Sequence, residues 1–137
     1  MQIIGHNNIL DYFENIEKNG TISHAYLFVG PPLVGKKTTA QFLAATLLET
    51  SYEKINIHPD FLFVQREKNE KTEKMKKNID VEQIRKLRSF FSLGSYFKKH
   101  KIAIIDNAEH MNANASNALL KTLEEPGKNN ILFQSIK

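Results

Sequence analysis

Ala25-Tyr26-Leu27-Phe28-Val29 runs straight into Gly30-Pro31-Pro32-Leu33-Val34-Gly35-Lys36, and beyond it Ala40, Leu43, Ala44, Leu47 and Leu48 recur at i, i+3, i+4, i+7 and i+8. The unbroken apolar run predicts a strand buried on both faces. The later stripe predicts an amphipathic helix. Between them lies a Gly/Pro turn, so the segment reads strand, loop, helix. Gly30 and Gly35 let the backbone curl until successive N–H groups face one point, a geometry that suits an anion. The helix that follows adds its partial positive charge there. Lys36 closes the seven-residue phosphate-loop pattern as a point charge for β- and γ-phosphates. That pattern normally continues with Ser or Thr, whose hydroxyl holds Mg²⁺. Lys37 stands there instead, and the hydroxyls come late, at Thr38 and Thr39. A helical step is ~100°, so Thr38 does not point where residue 37 would.

Outward from this segment, short apolar runs keep alternating with helical patterns. Ile9, Phe13 and Ile16 predict a first helix stopped by Asn19-Gly20. Residues 61–64 (Phe-Leu-Phe-Val) predict a second strand. Asp80 is an N-cap for a helix carrying Val81, Ile84, Leu87 and Phe91, with Gln83 at its third position. Residues 101–106 predict a third strand that ends on Asp106. Asn112 or Asn114 starts a helix through Ala118, Leu119 and Leu123, stopped by Pro126-Gly127, and Ile131-Leu132-Phe133 is a short last strand. Continuous apolar strands separated by helices predict an α/β fold, with a mostly parallel sheet covered by helices on both faces. Residues 66–78 mix charges with little apolar content and predict a solvated loop, or, on a sharper reading, a basic patch toward a nucleic-acid backbone.

Asp106 sits at the carboxyl edge of a buried strand, where open α/β sheets bind ligands. In a nucleotide hydrolase a following Glu would orient water, but residue 107 is Asn, and an amide takes no proton. Glu109 lies two residues on, a poor substitute. The whole chain has 137 residues, the size of one domain, with 41% apolar and 25% charged residues, close to globular averages. Nineteen Lys and Arg against fifteen Asp and Glu give a net charge of +4, compatible with a nucleic-acid partner. The absence of cysteine excludes disulfides, thiolate zinc sites and a cysteine nucleophile. His6, His24, His58, His100 and His110 have no metal-ligand spacing, and there is no Gly-x-Ser-x-Gly elbow. Neither a bilayer-length apolar run nor a secretory leader is visible, so the expected setting is the cytoplasm, with no membrane contact.

Taken together, these residues resemble the nucleotide-binding domain of bacterial clamp-loader subunits, the delta-prime and gamma/tau subunits of DNA polymerase III in the AAA+ superfamily. The resemblance rests on residues 3–6 (Ile-Ile-Gly-His), residues 23–28 before the loop, His58-Pro59-Asp60, and Ile79-Asp80-Val81 leading to Arg85. Most specific are residues 114–126, Asn-Ala-Ser-Asn-Ala-Leu-Leu-Lys-Thr-Leu-Glu-Glu-Pro. The resemblance implies a three-layer P-loop NTPase fold, truncated after its fourth core strand, with residues 1–137 as the N-terminal portion and the lid and collar domains outside it. It implies ATP or ADP with Mg²⁺ as ligand, and sister clamp-loader subunits, the sliding clamp and primer-template DNA as partners. The nucleotide would meet Gly30, Pro31, Pro32, Val34, Gly35, Lys36, Lys37, Thr38 and Asp106. Ile4 and Gly5, with Ile3, would lie near the adenine, Thr38 and Asp106 near the metal, and Ser135 near a polar sensor position.

Several departures shape the expectation. Lys37 replaces the metal hydroxyl and Asn107 the catalytic Glu, and neither the family's four-cysteine zinc module nor its Ser-Arg-Cys motif occurs. These favour a delta-prime-like subunit with weak or absent ATPase activity over a hydrolysing gamma/tau type or an independent P-loop NTPase. Without a collar the chain is expected to be monomeric or weakly associating, with an open edge at its fourth strand.

Overall fold

The computed structural model describes residues 7–20, 22–30, 35–97, 99–125 and 127–137. Four strands, β1 (Ala25–Val29), β2 (Phe61–Val64), β3 (Lys101–Ile105) and β4 (Asn130–Ile136), form one sheet in the order β1-β4-β3-β2, and every pairing is parallel. Four helices, α1 (Asn7–Asn19), α2 (Lys36–Leu47), α3 (Val81–Ser92) and α4 (Ala113–Glu124), cover its two faces. A 3-10 helix, Tyr52–Ile57, bridges α2 to β2. Among the described residues, no helix is long and apolar enough to cross a membrane.

Local chemistry sets most boundaries. Gly20 ends α1 at φ +67°, a left-handed conformation that costs glycine little. Asp80 and Gln83 form a reciprocal capping box at the start of α3, with bonds of 3.0 and 3.1 Å. Of the two asparagines expected to open α4, Asn112 does so, its Oδ1 accepting from the Ala115 N–H at 2.9 Å.

The alternating sides of each strand supply two cores. Phe13, Leu43, Ala44 and Leu47 pack with Ile102, Ile104 and Phe133 on one face, and Ile84, Leu87, Ala115 and Leu119 pack with Ala103, Ile105 and Leu132 on the other. Phe13, Tyr26, Phe28 and Phe133 interlock in the first core, with ring centroids 4.7–6.4 Å apart.

Two expectations need correction. The fourth strand is no edge: β4 inserts between β1 and β3, so the open edges belong to β1 and β2. It also spans seven residues rather than the three apolar ones, because ladder pairing carries it through Gln134 and Ser135. Residues 66–78 are mostly exposed, as expected of a solvated loop, with Arg66 and Asn69 half-buried. Lys68 and Met75 pair antiparallel, and Asn69 Oδ1 accepts from the Lys71 and Thr72 N–H groups to make the turn.

Candidate functional site at the carboxyl end of the sheet

The chain leaves β1 for the distant β2 edge and returns through β3 and β4, so the loops after β1 and β3 flank the end of β4. Ligand crevices form at such a reversal of strand order. Gly30 follows β1, and Gly35 caps α2 at φ +83°, a left-handed conformation that costs glycine little. Residues 31–34, and with them the expected positions Pro31, Pro32 and Val34, lie outside the described residues, as do Ile3, Ile4 and Gly5.

Lys36 begins α2, and its ammonium donates to the Ile136 carbonyl at 2.8 Å and to the Gly30 carbonyl. The Gly30 N–H donates to the same Ile136 carbonyl at 3.3 Å. Lys37 turns elsewhere. Its ammonium lies 4.8 Å from the centroid of the Phe63 ring on β2. Thr38 is half-buried, while Thr39 is buried with its hydroxyl lacking a hydrogen-bond partner among the described residues.

Asp106 follows β3, its N–H donating to the Val64 carbonyl at 2.8 Å. Its Oδ1 accepts a 2.9 Å bond from the Ser135 hydroxyl, which in turn accepts from the Asn107 N–H at 2.9 Å. Ser135 is 1% exposed, near the end of β4 where the resemblance places a polar sensor. Asn107 has φ +54° and ψ +58° and opens a short 3-10 helix, Ala108–His110. Asparagine is among the few side chains that tolerate that conformation. Glu109 is engaged with the Lys137 N–H at 3.3 Å. Consecutive residues of β4 therefore hold the two functional candidates: Ser135 holds Asp106, and Ile136 holds Lys36.

The magnesium ion implied by the resemblance finds a thin donor set. Mg²⁺ asks for a near-octahedral shell of oxygens. Here one carboxylate already accepts a hydrogen bond, one hydroxyl sits a residue late, and an ammonium occupies position 37. Among the described residues no group of three or more His, Cys, Asp or Glu side chains could hold a metal. Thr38 and Asp106 are the described side chains that would hold the ion, with phosphate oxygens and water completing its shell.

Sequence reasoning missed a second polar cluster, at the opposite end of the sheet. Asp60, 1% exposed, accepts from the Tyr96 N–H (2.8 Å), the Phe97 N–H (3.2 Å) and the Ser95 hydroxyl (3.2 Å). Its Oδ1 is 3.9 Å from the buried Lys101 ammonium, which also lies 4.1 Å from the Phe90 ring centroid. Burial pushes the carboxyl up, but the Tyr96 and Phe97 amides, Ser95 and Lys101 together hold it below its ordinary 3.8. The available signal was Lys101 itself, a charge opening an all-buried strand, which requires a partner.

A groove between α3 and α4 gathers Arg85, Arg88 and Lys121 with Asn114, Asn117 and Thr122. It continues into a hollow beside His24 and Asn130.

Comparison with known proteins places this architecture. The T. maritima DNA polymerase III gamma subunit-related protein superposes with a TM-score of 0.68 at 20% identity, covering 91% of this chain and 39% of its own. The T. maritima RuvB Holliday junction branch migration motor gives 0.56 at 18%, covering 97% of this chain and 38% of its own. Both share the expected P-loop NTPase fold. In sequence, the delta′ subunit of DNA polymerase III from Pseudomonas aeruginosa is 34% identical over 125 residues, 81% of this chain and 36% of the relative. The delta′ subunit from Bacillus subtilis is 36% identical over 129 residues, 85% and 36%. The chain thus spans about a third of the length of these relatives. The family described as DNA polymerase III, delta subunit, matches residues 5–135, and this chain belongs to it.

Proposed function

We propose that this chain is the nucleotide-binding-fold module of a delta′-type clamp-loader subunit, acting in the cytoplasm in loading the sliding clamp onto primed DNA during replication. The observation that carries the reading is the family match over residues 5–135, joined to a phosphate loop that keeps Gly35 and Lys36 while Asn107 stands where hydrolysis needs a carboxylate base. ATP or ADP would lie along Gly30, Gly35, Lys36, Lys37 and Thr38 with Asp106 nearby, and Pro31, Pro32, Val34, Ile4 and Gly5 complete the proposed contact set. Sister subunits, the clamp and primer-template DNA are the proposed partners. The Arg85, Arg88 and Lys121 groove offers a surface for a phosphate backbone.

Hydrolysis requires charge neutralisation, an oriented water and usually an arginine from a neighbour. Asn107 cannot serve as base, so turnover is expected near background. Calorimetry with ADP and a steady-state ATPase assay, run side by side, test this. Lys36→Ala should weaken binding at least about tenfold, since charge-assisted bonds to phosphate contribute ~1.5–3 kcal/mol. Equal affinity for both forms would defeat the phosphate-loop reading. Turnover above ~1 s⁻¹ that Asp106→Ala abolishes would favour a gamma/tau-type ATPase.

A further inference from the structure

We propose that the hairpin formed by residues 66–78 is a docking surface for the phosphate backbone of a nucleic-acid duplex. The inference goes beyond the reading above and uses neither the phosphate loop nor the groove between α3 and α4.

Residues 66–78 hold six cations, Arg66, Lys68, Lys71, Lys74, Lys76 and Lys77, against three carboxylates, Glu67, Glu70 and Glu73. That excess of three is most of the +4 carried by the whole chain. Among the described residues none of the six joins an ion pair, whereas Lys18, Arg85, Lys99 and Lys101 each face a carboxylate. Cations displayed together repel one another, and an external polyanion relieves that repulsion.

Hydrogen bonds fix how the charges are displayed. The Asn69 N–H donates to the Lys74 carbonyl at 2.7 Å and the Lys76 N–H to the Glu67 carbonyl at 2.8 Å, so Lys68 and Met75 face each other on one side of the ribbon. Glu67, Asn69, Lys74 and Lys76 alternate to the other side. Glu70 and Glu73 lie in the turn, which the Glu73 N–H closes on the Asn69 carbonyl at 2.8 Å. The Lys68 side therefore carries no carboxylate, and Arg66 and Lys77 flank its central pair two residues away. Both legs are anchored. The Gln83 side chain donates to the Gln65 carbonyl at 2.7 Å, and Ile79 bonds the His110 carbonyl (2.8 Å) and the Asn112 N–H (3.3 Å). A surface held in this way loses little conformational freedom on binding.

The residue types select the partner. Protein interfaces are depleted in Lys and Glu and enriched in aromatic residues, which residues 66–78 lack altogether. Single-stranded nucleic acid is held by stacking on aromatic rings, equally missing from this segment. A duplex backbone asks only for fixed cations, and lysine ammoniums answer its charge without reading its sequence.

The test is fluorescence anisotropy of a short labelled DNA duplex titrated with the chain over a series of salt concentrations. Wild-type affinity should fall steeply with salt. Lys68→Gln combined with Lys77→Gln should flatten the slope of log affinity against log salt by about two, since each neutralised phosphate contributes ~0.9. The charge-matched pair Lys74→Gln with Lys76→Gln removes the same charge from the other side and should flatten it by less than about one. All four lysines are exposed, and matching thermal melts confirm that both variants fold. A slope unchanged by the Lys68 and Lys77 pair, or flattened equally by both pairs, overturns the hairpin surface. Duplex binding weakened only by Arg88→Gln with Lys121→Gln overturns it as well, and leaves the groove between α3 and α4 standing. Polyglutamate bound as tightly as the duplex, or no duplex binding at low salt, overturns the choice of nucleic acid.

Discussion

Asp60→Ala is the most informative single perturbation of the fold. The carboxylate accepts from two backbone amides and a hydroxyl, and it faces the Lys101 ammonium at 3.9 Å with both side chains buried. Truncation leaves two N–H groups without their acceptor and a buried cation without its counter-charge. The Phe90 ring offsets only part of that loss. Removing one member of a buried pair costs ~3–5 kcal/mol, a large share of the ~5–15 kcal/mol that stabilises a domain. Unfolding entropy of ~2.1 cal/mol/K per residue gives ~0.29 kcal/mol/K for a chain of this length, so Tm should fall by ~10–17 °C. Urea and thermal melts near neutral pH measure this directly.

The same carboxylate has a signature in pH. Its pKa in the folded chain lies below the ordinary 3.8, so the ionised form binds the fold more tightly than the protonated form does. That stabilisation is present above 3.8 and is lost as pH falls from there through the folded-state value. The stability difference between wild type and Asp60→Asn should therefore shrink as the solution is acidified below 3.8. Asp60→Leu combined with Lys101→Met should recover more than half of the loss seen for Asp60→Leu alone, because no charge then remains buried unpaired. An Asp60→Ala variant within ~1 kcal/mol of wild type, or a difference independent of pH, would refute this account of the cluster.

Two further substitutions probe the candidate site. Asn107→Glu should cost ~1 kcal/mol in urea melts, because residue 107 sits at φ +54°, and it should leave ATPase turnover at background; a working ATPase from this change alone would contradict the geometry. Thr39→Val should raise stability by ~1 kcal/mol, or Tm by ~3 °C, since the buried hydroxyl it deletes has no partner among the described residues; a loss of stability would mean that the hydroxyl is satisfied in solution.

What the sequence disclosed and what it hid divide along a physical line. Information carried within about four residues was legible: the left-handed Gly35, the capping box at Asp80 and Gln83, the asparagine cap of α4, and the acid at the end of β3. Strand order was not, because apolar runs report burial but not neighbours. β4 reaches its place between β1 and β3 through pairings far apart in sequence. The same holds for the polar links. Ser135 and Asp106 are 29 residues apart, Lys36 and Ile136 100 apart, and nothing local marks any of them as a partner. Asp60 belonged to a segment that carried the family resemblance, yet its role depends on a loop 35–37 residues away.

The two substitutions at the phosphate loop and the acidic strand bear on whether the site is a decayed remnant. Read as sequence, Lys37 and Asn107 are deletions: a metal ligand gone and a base gone. A remnant no longer under constraint would be expected to leave buried polar groups orphaned, at ~1–3 kcal/mol each. Lys36, Asp106 and the Asn107 N–H are instead all bonded, through two adjacent residues of β4. Asn107 also occupies a left-handed turn where a Glu would be strained, and Lys37 lies on an aromatic ring. The buried Thr39 hydroxyl, by contrast, has no partner among the described residues, so the polar network is intact at the strand ends and incomplete at the start of α2.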